Sequence, residues 1–172
     1  MATNHPKGFH RLPKSGEKTE RRSITKPILL ALSTFRYSQK AIDCAIEETK
    51  KGGSLIVVYV VDVNLARYFI GADLGFYENL KEKCEKELLQ EHKKMAKQRI
   101  KSITEMAEKY GIEVKTHVST GRFALKVLPF VKKNKPEFII TTRSKRPKWV
   151  KKFFGSPVDY LVENADCPVV EA

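Results

Sequence analysis

The chain has 172 residues, and 41% of them are hydrophobic, so it can bury one hydrophobic core but hardly two. Lys and Arg outnumber Asp and Glu by 33 to 20, and the net charge of +13 is compatible with simple solubility or with contact with anionic partners. No apolar run is long enough to span a membrane, and the polar N-terminus lacks the apolar segment of a secretory signal. We therefore predict a single cytoplasmic domain without a membrane span.

The sequence contains neither a cysteine pattern typical of a metal site nor a familiar catalytic motif. The cysteines are widely spaced, odd in number and form no Cys-x-x-Cys pair, which argues against a disulfide framework and a zinc site; they are Cys44, Cys84 and Cys167. The sequence contains no P-loop, no dinucleotide fingerprint and no His-Glu-x-x-His motif. We therefore predict buried thiols in a reducing compartment, no bound metal and no catalytic residues.

Residues 1–25 form a basic tail that we predict to be disordered. They mix Pro, Gly, Ser and charged residues without apolar periodicity. From Met1 to Lys26 there are seven Lys or Arg against two Glu. Three interpretations of the tail remain open: an inert solubilising arm, a mitochondrial-type transit peptide, or an arm that contacts RNA, DNA or lipid headgroups.

The domain, residues 26–172, opens with a strand, a helix and a second strand. Ile28 to Leu32 and Leu55 to Val61 are uninterrupted apolar runs, as expected of parallel strands buried on both faces. Ser38 is placed to cap the helix between them, and Gly52-Gly53 ends it. The predicted inward positions of this helix are Ala41, Ile42, Ala45, Ile46 and Thr49.

The middle of the chain adds two helices and a third strand. After an irregular connection over residues 62–79, a long helix is predicted from Leu80 to Tyr110 and a strand from Ile112 to Val118. A further helix is predicted from Gly121 to Lys133, and Pro129 inside it is expected to kink or divide it. The predicted apolar face of the long helix comprises Leu80, Cys84, Leu88, Met95, Ile100, Ile103 and Ala107. That of the next helix comprises Phe123, Leu125, Val127, Leu128 and Val131.

The part from Phe138 onward concentrates the features that suggest function. Phe138 to Thr141 has the pattern of a buried strand, and Arg143 to Lys152 carries six basic residues and no acid. Ser156-Pro157 then opens a helix, and a final strand is predicted from Cys167 to Val170. Ligands of α/β sheets bind beyond the carboxyl ends of the strands, where this basic loop is expected to lie. The element order predicts an open, doubly wound, five-stranded parallel sheet.

The closing sequence FGSPVDYLVENADCPVV resembles the C-terminal signature of the universal stress protein family. The resemblance extends over Pro27 to Ala172, through the strand order, the Gly121 turn and the residues from Asn134 to Ile140. It implies a Rossmann-like fold of the adenine nucleotide alpha hydrolase-like type and a non-enzymatic role in the stress response. It also implies a homodimer that pairs through the C-terminal edge strand, at Cys167, Val169 and Val170.

Nucleotide-binding members of this family carry a G-x-x-G-x9-G-S/T loop, and the chain keeps only part of it. The first two glycines fall at Thr142 and Lys145, whereas Gly155-Ser156 matches the end of the loop. An Asp that contacts adenosine in those members falls at Ser33, and a main-chain contact falls at Val60. The resemblance therefore implies a degenerate loop with weak or no conventional ATP binding. The candidate ligand-binding residues are Ser33, Thr34, Val60, Thr142, Arg143, Lys145, Gly155 and Ser156.

Two alternatives to this interpretation stay open. In the first, the helix start at Gly155-Ser156 still holds ATP or another phosphate-bearing ligand, with Arg143 and Lys145 supplying charge, and the protein acts as a nucleotide switch or slow hydrolase. In the second, the basic tail and the basic loop, with the aromatic residues in and after it, bind nucleic acid or an anionic surface.

Overall fold

The computed structural model describes residues 26–62, 78–143 and 156–172 of the chain. Within these residues, strands and helices alternate along the sequence. The strands are β1 (Ile28–Ser33), β2 (Leu55–Asp62), β3 (Val114–Gly121), β4 (Ile139–Thr141) and β5 (Val169–Glu171). The helices are α1 (Gln39–Thr49), α2 (Glu78–Glu108), α3 (Phe123–Asn134) and α4 (Pro157–Asn164). The tail over 1–25, the connection over 63–77 and the basic loop over 144–155 lie outside the described residues.

The five strands are parallel and form one sheet in the order β3-β2-β1-β4-β5. β1 is central, since Leu30 pairs with Val57 of β2 on one side and with Ile140 of β4 on the other. A helix lies between each strand and the next along the chain, as the crossover between parallel strands usually requires. The predicted open, doubly wound, five-stranded parallel sheet is confirmed.

Helices cover both faces of the sheet. Every residue of β1 and β2 is buried, because successive side chains point alternately toward two helical layers. Leu30 and Val57 belong to the apolar cluster formed with α1 and α2, whereas Leu29 and Val58 belong to the cluster formed with α3 and α4. Among the described helices, none is both long and apolar enough to cross a membrane.

α1 follows the prediction closely. Its N-cap is Ser38, whose hydroxyl accepts a hydrogen bond from the N–H of Ala41 at 3.4 Å. All five positions that were predicted to face inward are buried. After Lys50 the chain turns through Gly52 and Gly53, both with positive φ, before it enters β2.

The buried stripes of α2 and α3 differ from the predicted ones, and in α2 the predicted Cys84, Leu88 and Met95 are only half-buried. In α2 the buried residue is Ala96 and not Met95, because Ala96 is in helical register with Ile100 four residues later. In α3 Ala124 is buried and Leu125 is 51% exposed, so the predicted inward position of Leu125 is wrong. Both predictions preferred the larger apolar side chain, although a helix that lies close against a sheet favours alanine at the contact.

Pro129 does not divide α3, which is continuous from Phe123 to Asn134. A proline deprives the helix of the hydrogen bond to the carbonyl four residues earlier, which here belongs to the exposed Leu125. Water can reach a carbonyl on this side of the helix, so the missing bond is tolerated. The helix ends at Lys135, whose φ of 45° is left-handed and whose N–H donates to the carbonyl of Val131.

The two edge strands are shifted relative to the prediction. β3 runs three residues beyond the predicted end at Val118, because it pairs with β2 along its whole length. β5 begins at Val169, so Cys167 precedes the edge strand and does not belong to it. The carbonyl of Pro168 still accepts a hydrogen bond from the N–H of Ile139 at 2.9 Å, which explains why the pairing starts here.

Candidate functional site

The sheet has a switch point between β1 and β4. From β1 the chain moves outward to β2 and β3, and it then returns to place β4 on the other side of β1. Crevices beyond the carboxyl ends of strands at such a point are where open α/β sheets bind ligands. Ser33 ends β1, Val60 pairs with it in β2, and Thr142 directly follows β4. The structure thus brings three predicted residues to one edge of the sheet.

Ser33 closes a tight turn that returns Arg36 over the end of β1. The N–H of Ser33 donates to the carbonyl of Arg36, and the N–H of Arg36 donates to the carbonyl of Ser33, both at 3.0 Å. Nη1 of Arg36 lies 3.4 Å from Oγ of Ser33, and the guanidinium lies 4.8 Å from the ring centroid of Phe123. Arg36 is only 1% exposed. A buried cation therefore covers the Ser33 hydroxyl.

One main-chain group at this edge of the sheet, the carbonyl of Val60, already accepts a hydrogen bond. The N–H of Thr34, another predicted residue, donates to the carbonyl of Val60 at 3.3 Å. A carbonyl oxygen has two lone pairs, so that of Val60 can accept one further hydrogen bond. Asp62, the last residue of β2, is buried as well.

Arg143 is the centre of a polar network beyond β4. Its Nε donates to Oε2 of Glu171 at 2.8 Å, and its Nη2 lies 2.9 Å from Oδ1 of Asp159. Its Nη1 lies 3.3 Å from Oγ of Ser156. Partial burial disfavours the charged form, but the hydrogen bonds to Asp159 and Glu171 outweigh it and raise the pKa of Arg143 above its ordinary value. One guanidinium therefore joins the end of β4, the start of α4 and β5.

Ser156 caps α4, as the sequence predicts. Its hydroxyl accepts a hydrogen bond from the N–H of Asp159 at 3.3 Å, and Pro157 occupies the first turn. The Asp159 carboxylate lies in the first turn, where the helix dipole stabilises negative charge. This helix start therefore already holds a carboxylate. Lys145 and Gly155, the remaining predicted residues, lie outside the described part of the chain.

The backbone at Thr142 does not have the positive φ that favours glycine. Among the described non-glycine residues, Lys135 alone has a positive φ, so Thr142 has a conformation that any residue adopts. Its side chain is half-buried. The preceding Thr141 is buried, and its hydroxyl donates to the carbonyl of Ala31 at 2.8 Å. The end of β4 is thus fixed to β1 by a side chain as well as by strand pairing.

The structure gives little support for metal or thiol chemistry at this edge. Over residues 26–62, 78–143 and 156–172, no group of three or more His, Cys, Asp or Glu side chains could hold a metal ion. None of the three cysteines forms a disulfide, and all three are half-buried rather than buried as predicted. Burial, with a smaller effect of Glu48, raises the pKa of the Cys44 thiol to about 11. Such a thiol is a poor nucleophile at neutral pH.

Two residues of this edge were missed by the sequence analysis. Arg36 is buried through a turn of four residues that no simple sequence pattern marks. Glu171 lies 28 residues beyond its partner Arg143, and the pairing depends on the position of β5 beside β4. The basic loop contains no acidic residue, and Glu171 is an acidic residue in the last strand. These two features together could have suggested the pairing with Arg143.

Comparison with known proteins identifies a family. The family model described as "Universal stress protein family" matches residues 25–170 of this chain. A universal stress protein of Methanocaldococcus jannaschii is 27% identical over 150 residues, which cover 86% of this chain and 82% of that protein.

Solved structures share the fold at lower identity. The universal stress protein UspA from Lactobacillus plantarum gives a TM-score of 0.64 at 19% identity, covering 86% of this chain and 99% of that one. A universal stress protein solved in complex with cAMP gives 0.55 at 10% identity, with 87% and 98% covered. One from Archaeoglobus fulgidus, in complex with dAMP, gives 0.50 at 19% identity, with 86% and 97% covered. At these identities the likeness shows the fold alone.

Proposed function

Because the chain belongs to the universal stress protein family, we propose that it is a non-enzymatic regulatory protein of the stress response that binds ATP weakly or not at all. The observation that carries this proposal is the engagement of Arg143 by Asp159 and Glu171 at the start of α4. The cation that the sequence offers to a phosphate group is already paired with two carboxylates.

The energetic effect of this pairing is moderate. A phosphate that takes over Arg143 must displace two carboxylates, whose side chains are 49% and 34% exposed in Asp159 and Glu171. Ion pairs of this partly exposed kind contribute about 0–1 kcal/mol each. The two carboxylates also repel a polyphosphate. We expect the two ion pairs to weaken binding by up to about thirtyfold, which lowers affinity without abolishing contact with anions.

The opposite end of the crevice supports the same proposal. An adenosine ring or ribose is commonly held by a hydrogen-bond acceptor, whereas here the Ser33 hydroxyl lies against the guanidinium of Arg36. This covered hydroxyl favours a site with little selectivity for a nucleoside.

Isothermal titration of the full chain with ATP and with inorganic tripolyphosphate, each at low and high salt, tests the proposal. We expect dissociation constants in the high micromolar range or weaker, which corresponds to less than roughly 6 kcal/mol. Both ligands should bind similarly and weaken with added salt, because the attraction is mainly electrostatic. Tight, salt-insensitive binding that is selective for ATP would contradict the proposal.

A nucleotide switch or slow hydrolase is the second candidate. It is favoured by two structural relatives, which were solved with cAMP and with dAMP. Mass spectrometry of ligand retained through native purification separates the candidates. A stoichiometric nucleotide would favour the switch, and an empty protein would favour the weak-binding regulator.

The proposed assembly is a homodimer that pairs through the β5 edge, where Val169 and Val170 lie. Cys167 lies outside that strand and is not needed for the hydrogen bonds between the paired strands.

The excess of positive charge supports an anionic partner that binds the tail and the basic loop. Cysteines that form no disulfide are compatible with a reducing cytoplasm, where we propose the protein is located.

A further inference from the structure

Three side chains form a second polar cluster at the carboxyl ends of β1 and β2, on the face covered by α1 and α2. Nη1 of Arg99, from α2, donates a hydrogen bond to the hydroxyl of Tyr59 in β2 at 2.6 Å. The guanidinium of Arg99 also lies 4.2 Å from the ring centroid of Tyr37, in the turn after β1. The cluster therefore connects three separate parts of the fold.

The cluster is held in a fixed geometry. Tyr59 is 1% exposed, and burial raises the pKa of its hydroxyl, although Arg99 and Thr34 oppose the shift. The hydroxyl therefore stays protonated at neutral pH, and it anchors one end of the guanidinium. Tyr37 supports the flat face of the same group. Arg99 loses little further conformational freedom when it binds a ligand, because both contacts already orient it.

Arg99 has no carboxylate partner among the described residues. Its neighbours at helical spacing on α2 are apolar or hydroxyl-bearing: Met95, Ala96, Ser102 and Ile103. The nearby Lys101 differs, since it faces Glu105 at 3.8 Å. A half-buried guanidinium without an anion is unusual on a helix that is rich in Glu, because partial desolvation of a charge is normally compensated by a counter-charge.

The unused side of the guanidinium has the geometry that recognises an oxyanion. Nη1 is taken by Tyr59, whereas Nε and Nη2 donate no hydrogen bond within the described part of the chain. These two groups form the edge that pairs with two oxygens of a phosphate or a carboxylate at once. The edge lies close to the carboxyl end of the sheet, where ligands of this fold class bind.

We propose that Arg99, anchored by Tyr59 and Tyr37, forms an oxyanion-binding site that takes the phosphate or carboxylate group of a small ligand. The site is on the face of the sheet opposite α4, so it does not depend on Arg143 or on the weak binding of ATP. Arg99 would contact the ligand directly, and Tyr59 would act as a positioning residue.

The test is a titration of the full ¹⁵N-labelled chain with inorganic phosphate and, separately, with acetate, at constant ionic strength, observed at the arginine Nε–H signals. The Arg99 signal is assigned by its loss in Arg99→Lys. We expect it to shift saturably with one or both anions, and the anion that binds more tightly identifies the preferred group. Because only the Arg99 signal is read, phosphate bound elsewhere on this basic protein does not interfere.

Substitutions distinguish whether Arg99 binds an anion or only stabilises the fold. Arg99→Gln should weaken the stabilisation of the fold by the preferred anion at least about tenfold in apparent affinity, whereas the matched control Lys101→Gln should leave it unchanged. Tyr59→Phe keeps the charge but removes the anchor, so it should weaken binding by a smaller factor; this variant replaces Arg99→Gln if the latter does not fold. An Arg99 signal that does not saturate with either anion would overturn the proposal, as would equal anion effects in the Arg99→Gln and Lys101→Gln proteins.

Discussion

The guanidinium of Arg36 stacks on the ring of Phe123, with 4.8 Å between the guanidinium carbon and the ring centroid. This contact joins the turn after β1 to the first residue of α3, and both residues are almost fully buried. The cation is thereby fixed above Ser33, at the switch point of the sheet. The chemistry available at the end of β1 depends on Arg36 as much as on Ser33 itself.

Restoring the family residue with Ser33→Asp should not restore ATP binding. The new carboxylate would lie against Arg36 in a buried position, and the two charges would pair with each other. We expect the affinity for ATP, measured by isothermal titration, to stay within about twofold of the wild type. The double variant Ser33→Asp, Arg36→Gln removes that partner and serves as the comparison. A tightening of more than about tenfold by Ser33→Asp alone would show that Arg36 does not hold the carboxylate.

Arg143→Gln should lower the free energy of unfolding by about 1 kcal/mol, measured in urea at low salt. The substitution removes two ion pairs that are each worth about 0–1 kcal/mol in this partly exposed setting. The loss should shrink at high salt. Lys101→Gln is the matched control, because its pair with Glu105 is isolated, exposed and longer at 3.8 Å. Equal losses in the two variants would mean that the Arg143 network adds no more to stability than an isolated, exposed ion pair.

Cys44 should make stability depend on pH in the alkaline range. Its pKa is about 11 in the folded protein against 9.0 for an ordinary thiol, so the folded state retains the proton that the unfolded state releases. The contribution is complete below pH 9 and is lost as the pH rises from 9 toward 11. In the difference between wild type and Cys44→Ala, effects of lysine and tyrosine titration cancel. We expect this difference to fall by about 1 kcal/mol across the window, because Cys44 is only half-buried and solvent screens part of the effect. Parallel pH profiles of the two proteins would contradict the assignment.

If the proposed dimer forms through β5, Val169→Pro should shift it to monomer in sedimentation. The carbonyl of Pro168 accepts from Ile139, so residues 168 and 170 face β4 and the N–H of Val169 points toward the open edge. Proline at 169 removes that outward donor and spares the ladder to β4. Val169→Ala controls for the lost side-chain packing. An unchanged dimer in Val169→Pro would place the interface elsewhere.

The elements that depend on local pattern could be predicted from the sequence. Ser38 and the five inward residues of α1 follow from capping and helical spacing, and the strand β2 follows from a continuous apolar run. The choice of Ala96 over Met95 could not be predicted, because hydropathy favours the larger residue and the distance between helix and sheet decides otherwise.

The site was predictable only in part for a similar reason. Ser33, Val60 and Thr142 were found through the resemblance to nucleotide-binding members of the family, which have ligand contacts at the matching positions. Arg36 and Glu171 owe their roles to contacts across the sheet, with residues far away along the chain. A sequence shows which residues carry charge, but the partner of each charge is set by the packing of distant elements.

The central position of β1 has a consequence for how the chain folds. Leu30 pairs with Val57, which follows soon after it, but its other neighbour, Ile140, is separated from it by most of the domain. β1, β2 and β3 can therefore assemble early, whereas closing the loop to β4 costs more chain entropy and comes late. Until then Leu29 lacks the members of its apolar cluster that β4 and α4 supply, such as Ile139 and Leu161. A partly synthesised or slowly folding chain would expose this surface, and it is there that we expect misfolding and aggregation to begin.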